Sequence, residues 1–235
     1  MSQTHNNPEE LKAVLDRLAH VYSNCWSYED KSTVKEIMPE KNGQERVIHH
    51  SFITAFDREA RRLRYEFTSR SPQSKQDRDC VVWRNGGSVK IWTRLKSQIQ
   101  TMEKVDMAIA SAVGYSGEPV FLIPHLLTPM EIKGRGLLDL DDLHLVEKLD
   151  FNGTGFFKIT GYYPSRSKLT FWVDITTSLI LKVEVETATT QLFEGWSYAE
   201  IMNSGTVAAK TVITYSPAVN TPIEESKFEM KIPEE

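Results

Sequence analysis

Cysteine is scarce in this chain: 235 residues contain two, Cys25 and Cys80. Neither the four closely spaced ligands of a structural zinc site nor a CxxC redox pair can be built from them. Two readings stay open from the residues, two buried thiols or one disulfide tying the first helix to a strand. Long apolar runs are also missing. The best candidate, from Ala108 to Leu127, is interrupted by Gly114, Gly117, Pro119 and Pro124, well short of the ~20 apolar residues a spanning helix needs. The chain has no basic excess either. A formal net charge of -4 lacks the cationic footprint that nucleic-acid binding requires, so nucleic acid is excluded as a partner. The opening MSQTHNNPEE shows no charged start followed by an apolar segment, so no signal peptide is read here; a mature exported protein and a cytosolic one look the same at this point.

Catalytic motifs are absent as well. No HExxH, GxSxG, GxGxxG or GxxxxGK occurs, which leaves no motif for zinc hydrolysis, a nucleophile elbow or a phosphate cradle. The six histidines are scattered, and the adjacent pair His49 and His50 must point to opposite faces of a strand. Paired acids such as Asp141-Asp142 and Glu224-Glu225 read as solvated charge in turns. The expectation is a protein with no catalytic residue, no metal and no cofactor.

What the chain has is alternation. Lys168 to Thr187 carries two period-two runs, with Leu169, Phe171 and Val173 on one face, then Leu181, Val183 and Val185, joined by a turn after Asp174. This predicts a hairpin with one apolar and one wetted face. Before it, Asn7, Pro8 and Glu10 form a helix start, and Leu11, Val14, Leu15, Leu18, Tyr22 and Cys25 fall at helical spacing. Strands are predicted over Tyr28–Met38 (mixed in polarity, hence exposed or at an edge), Arg46–Asp57, Arg61–Thr68, Cys80–Arg84 and Val89–Thr93, with Asn85-Gly86-Gly87 as a tight turn. Residues 103–130 interrupt them with two apolar helical segments, Glu103–Val113 and Val120–Leu127. Strands resume at Leu143–Leu149, Thr154–Tyr163, the hairpin, Leu192–Met202 and Val207–Tyr215. Phe228, Met230 and Ile232 close the tail, which is expected to dock on the sheet. About ten strands with short connections imply an antiparallel meander, mainly β within an α+β composition, in one domain spanning 1–235 with 1–7 disordered.

Aromatic and aliphatic residues gather on the apolar faces of these strands. Phe52, Phe56, Leu63, Tyr65, Phe67, Ile91, Phe157, Ile159, Phe171 and Val183, with Ile109 and Phe121 from the insert, are the candidates for a ligand-binding cavity. A solid core explains the same residues.

The order of motifs resembles the bacterial outer-membrane lipoprotein carrier (LolA-like) superfamily, and within it a branch of predicted periplasmic proteins. A first helix is followed by SYEDKSTV, FITAFDREARRLRYEF, VVWRNGGSVKIW, the helical insert with IPHLL, LDFNGTGFFKITG and LTFWVDITTSLILKVEVE. The resemblance implies a strongly curved, incomplete antiparallel barrel whose concave face is covered by helices and encloses an apolar cavity for acyl chains. It implies a non-enzymatic protein of the periplasm or cell envelope, with a lipid or the acyl chain of a lipoprotein as ligand and a membrane-associated protein as partner. Arg62 and Arg64 stand where the family has arginines, so the resemblance implies that one of them ties the helical lid, residues 103–130, shut. Export would place Cys25 and Cys80 where they could pair. The alternatives are an interaction or sensor domain of the same fold with a filled core and, last, a hydrolase.

Overall fold

The computed structural model describes residues 7–39, 44–69, 79–116, 121–132, 136–151, 153–163, 167–187 and 209–232. Residues 1–6 of the stretch expected to be disordered and the strand expected over residues 192–202 lie outside these residues, whereas Asn7, expected to be disordered with them, is described as the cap of the first helix.

Helix α1 runs Pro8–Asn24. Asn7 caps it, its side-chain oxygen accepting from the amides of Glu9 and Glu10, and Pro8 takes the first turn, where a missing N–H costs nothing. Leu11, Val14, Leu18 and Tyr22 form its buried stripe. A first meander follows: β1 (Ser27–Pro39), β2 (Glu45–Asp57), β3 (Arg62–Thr68), β4 (Cys80–Asn85), β5 (Ser88–Thr93) and β6 (Ile99–Met102). Gly86 supplies the positive φ, 57°, that the β4–β5 turn demands. Helices α2 (Val105–Ser116) and α3 (Leu122–Leu127) separate it from a second meander of β7 (Asp141–Phe151), β8 (Thr154–Tyr162), β9 (Lys168–Asp174), β10 (Ile180–Thr187) and β11 (Ala209–Thr214); β12 (Ala218–Val219) is a two-residue addition.

All twelve strands belong to one antiparallel sheet, ordered β6-β5-β4-β3-β2-β1-β11-β10-β9-β8-β7, with β12 on β1. Among the described residues the strand order ends at β6 and β7, so this sheet is not closed into a barrel. The two meanders are stitched together by β1 and β11, in register from Thr33↔Thr214 to Ile37↔Lys210. This corrects the reading of Tyr28–Met38 as an exposed or edge strand: β1 has β2 on one side and β11 and β12 on the other. Lys31, Thr33 and Lys35 do face solvent, but Asp30 and Ser32 on the other face are buried and bonded to each other rather than solvated.

The hairpin of β9 and β10 forms, with Phe171 opposite Val183 and Leu169 opposite Val185, but the register shifts between Ile180 and Lys182, so that Leu181 drops out of the expected alternation and is half-buried while Ile180 is buried. Its turn is held by Asp174, whose Oδ1 accepts from the amides of Thr176 (2.9 Å) and Thr177 (2.6 Å). Side chains from β5, next to one end of the strand order, to β7 at the other join α1, α2 and α3 in one continuous apolar core. The sheet therefore has an inner face wrapped on the helices and an outer face.

Candidate ligand-binding face and its helical cover

The inner face is built by register. Phe52 lies opposite Phe67 and Phe56 opposite Leu63 across β2 and β3. Tyr65 then meets Val82, and Val82 meets Ile91. In the second meander Phe171 faces Ile159 on one side and Val183 on the other, and Phe157 lies opposite Val173. All twelve candidate residues, including Ile109 of α2 and Phe121 at the start of α3, are buried and belong to the same apolar core. Ring contacts knit its centre: Phe52 stands 5.7 Å from Tyr65 and 5.7 Å from Tyr215, the second pair edge-on.

The cover consists of the three helices. α2 lays Val105, Ala108, Ile109 and Ala112 into the core over β4, β5 and β6, and α1 packs on α3 and β7. Helix α3, LIPHLL, is buried at all six positions, as a helix without a polar face must be. Its His125 ring lies against Gly136, where a side-chain carbon would come within 2.0 Å of the imidazole, so only glycine fits. Burial lowers the His125 pKa and keeps the ring neutral.

One side chain fastens this cover. Arg58, just past β2, donates from Nε to the Cys25 carbonyl (2.8 Å) and from Nη2 to the carbonyls of Tyr22 (3.0 Å) and Leu127 (3.1 Å). Its guanidinium sits 4.9 Å from the centre of the Phe56 ring. The last carbonyls of α1 and α3 lack helical partners, and the negative ends of both helix dipoles point there. A guanidinium satisfies both needs with one group. The residue-by-residue reading missed Arg58; its signal was that α1 has no basic residue in its own last turn. A second tie joins Arg84 of β4 to Glu131, just after α3, at 2.6 Å.

Arg62 and Arg64 do not serve this role. Both lie on the outer face, opposite in pleat to Leu63 and Tyr65. Arg62 pairs with Asp57 (2.6 Å) and Glu225 and stacks 4.5 Å over Phe228. Arg64 donates to the carbonyls of Glu229 and Lys231, and Trp83 Nε1 also donates to the Glu229 carbonyl. The two arginines fasten the C-terminal tail to β3 and β4. The tail docks as expected but as a 3-10 turn, Glu225–Phe228, and an extended segment, with Met230 and Ile232 half-exposed rather than paired as a strand.

Cys25 and Cys80 are free and buried, so no bridge joins them. Cys25 closes α1 with its thiol donating to the Tyr22 carbonyl (3.2 Å), while Cys80 faces the core on β4. Burial pushes both thiols up, that of Cys80 to about 12, which makes them poor nucleophiles.

A polar patch interrupts the apolar inner face. Asp30 accepts from Ser32 Oγ and from the Ser216 amide (2.7 Å). The hydroxyls of Thr54 and Tyr215 are buried without a hydrogen-bond partner among the described residues. Burial raises the Asp30 pKa from 3.8 to about 6 against the opposing pull of these hydrogen bonds. A carboxyl group that binds its proton more tightly when folded stabilises the fold below about pH 4, and this contribution is lost as pH rises through about 6. Asp30→Asn is therefore expected to be the more stable protein at pH 7, by roughly 2 kcal/mol, and to differ least from wild type near pH 4. Denaturant titration of both proteins across that range checks it; parallel curves would contradict it.

Two adjoining hollows open at the rim, of about 470 Å³ and 380 Å³. They share Arg61, Arg84, Met130 and Glu131, and of the twelve candidates only Phe56 lines either. These two hollows are polar-rimmed and lie at the edge of the cover. Among the described residues, no cluster of three or more His, Cys, Asp or Glu could hold a metal ion, and no helix is long and apolar enough to cross a membrane.

No family model matches the sequence, and no curated protein does. Solved structures with a related arrangement do exist. A LolA superfamily protein from Nitrosomonas europaea is 10% identical, with a TM-score of 0.35 over 93% of this chain and 97% of its own. An uncharacterized conserved protein from Thermus thermophilus is 14% identical, with a TM-score of 0.47 over 95% and 94%. The MucA/MucB complex of Pseudomonas aeruginosa contains a chain 15% identical, with a TM-score of 0.45 over 94% of this chain. This chain spans 61% of that one.

Proposed function

We propose that this is a non-enzymatic protein of the cell envelope that binds an acyl chain, of a lipid or a lipidated protein, between the inner face of the sheet and its helical cover. The observation that supports it is the character of the cover. α3 is a six-residue helix buried on every side, yet it is held to the sheet's rim by one hydrogen bond from Arg58 to the Leu127 carbonyl and is followed, four residues on, by Glu131 of the Arg84–Glu131 pair. An apolar plug with a polar fastening at one edge can lift as a unit, and an acyl chain can replace its contacts in the apolar core at little net change in buried apolar area. The arrangement described is then the closed state, in which the cover itself fills the groove.

The second reading, an interaction domain with a permanently filled core, is favoured by the close burial of all twelve candidates. The two separate on uptake of a fluorescent long-chain fatty acid by delipidated protein. Saturable binding at one site is expected; no uptake at any concentration below the probe's own aggregation would leave the filled core.

A further inference from the structure

We infer that the rim hollow is an oxyanion site, where Arg84 takes the carboxylate or phosphate of a ligand whose apolar part lies under the cover. This rests on the acyl-binding reading for the apolar part but not for the anion. Arg84 springs from the inner face of β4, and its side chain is 4% exposed. Its Nη1 donates to Glu131, while its Nε, also buried, has no partner among the described residues. A buried cation with an unused donor is costly unless something completes it. Both hollows are lined by this residue, so its side chain borders open volume, and a departure of Glu131 would uncover more of the guanidinium.

The surroundings set the sign of the ligand. Arg61 and Lys104 line the larger hollow, and so does the start of α2, at Val105, whose dipole adds positive potential. Three carboxylates compete. Asp106 is engaged with the Met107 amide at 2.7 Å, Glu103 is exposed to solvent, and the side chain of Glu131 is 41% exposed and accepts from Nη1 of Arg84. Glu131 can therefore swing into water while an incoming oxyanion takes the guanidinium edge of Nε and an Nη, the bidentate geometry that arginine favours. Because Glu131 lies four residues past α3, such an exchange would also release the second tie on the cover.

Calorimetric titration with dodecyl phosphate, dodecyl maltoside and inorganic phosphate, each below its micelle concentration where it has one, tests the site. Wild type is expected to bind dodecyl phosphate about tenfold tighter than the maltoside, and Arg84→Gln to lose that preference. Since Arg84→Gln strands Glu131 and can fail to fold, Glu131→Gln carries the decision. It removes the competing carboxylate at a half-exposed position and should strengthen the preference for phosphate severalfold. Inorganic phosphate binding as tightly as dodecyl phosphate assigns the site to a free anion, and much weaker binding assigns it to a head group; either supports an oxyanion site. Equal binding of the two amphiphiles by wild type and by Glu131→Gln overturns the site and leaves acyl binding intact. Binding of inorganic phosphate alone keeps the site and removes the acyl reading. No binding of any of the three removes both.

Discussion

Replacing Arg58 by alanine is expected to lower the unfolding free energy by about 3 kcal/mol and to speed hydrogen exchange at the amides of α3. The side chain makes three charge-assisted hydrogen bonds, to the carbonyls of Cys25, Tyr22 and Leu127, of which that of Tyr22 also accepts from the weak thiol donor of Cys25. Truncation leaves them facing a partly buried gap beside Phe56. Arg58→Lys keeps the charge but offers one point donor in place of a planar fork, so it should recover less than half of the loss. Exchange at Leu122–Leu127 unchanged in Arg58→Ala would show that apolar packing alone holds the cover.

The second large effect is at the centre of the inner face. Phe171 has no exposed surface and is flanked by Ile159 and Val183. Phe171→Ala should cost delipidated protein about 4 kcal/mol, part from lost transfer and part from the void left behind. The two readings of the core then diverge. If acyl chains bind there, a fatty acid can occupy the void, and at about a hundred times its dissociation constant it should return roughly 2.7 kcal/mol by mass action. Phe67→Leu, a milder change at the opposite meander, should lose about 1.5 kcal/mol and keep probe binding. A filled core would show the same losses with no recovery on adding fatty acid. Thermal midpoints with and without ligand, measured for both variants, distinguish the cases.

Much of the fold is legible locally. The Asn7 cap, the stripe of α1 and the turn at Gly86 each rest on residues close in sequence and form as read, and so does the β9–β10 alternation except at Leu181, where the register shifts. What escaped is non-local. Nothing near Tyr28–Met38 announces that β1 will be joined by β11 from the far end of the chain, and its buried Asp30 and Ser32 mimic a solvated strand. The two short strands β6 and β12 fall below the length at which alternation can be counted.

The site divides in the same way. Strand pleat placed the apolar candidates on one face correctly, because a two-residue period leaves no freedom. Roles of the arginines were not legible from pleat alone. Arg62 and Arg64 stand on the outer face, and their partners, Glu225, Glu229 and Lys231, lie over 160 residues away. Arg58 stands in a turn, where neither period applies, and its partners are carbonyls, which no sequence pattern marks. Arg84 looked like an ordinary strand terminus, yet the register with Leu63 turns it inward.

The central claim is that the helical cover yields its place to an acyl chain. Hydrogen exchange at the amides of Leu122–Leu127, followed in wild type as a long-chain fatty acid is titrated to saturation, tests it most directly. The expected result is faster exchange across α3 in proportion to bound fatty acid, while β2 and β3 stay protected. Saturable binding with α3 as protected as before, or no binding at all, would contradict the account.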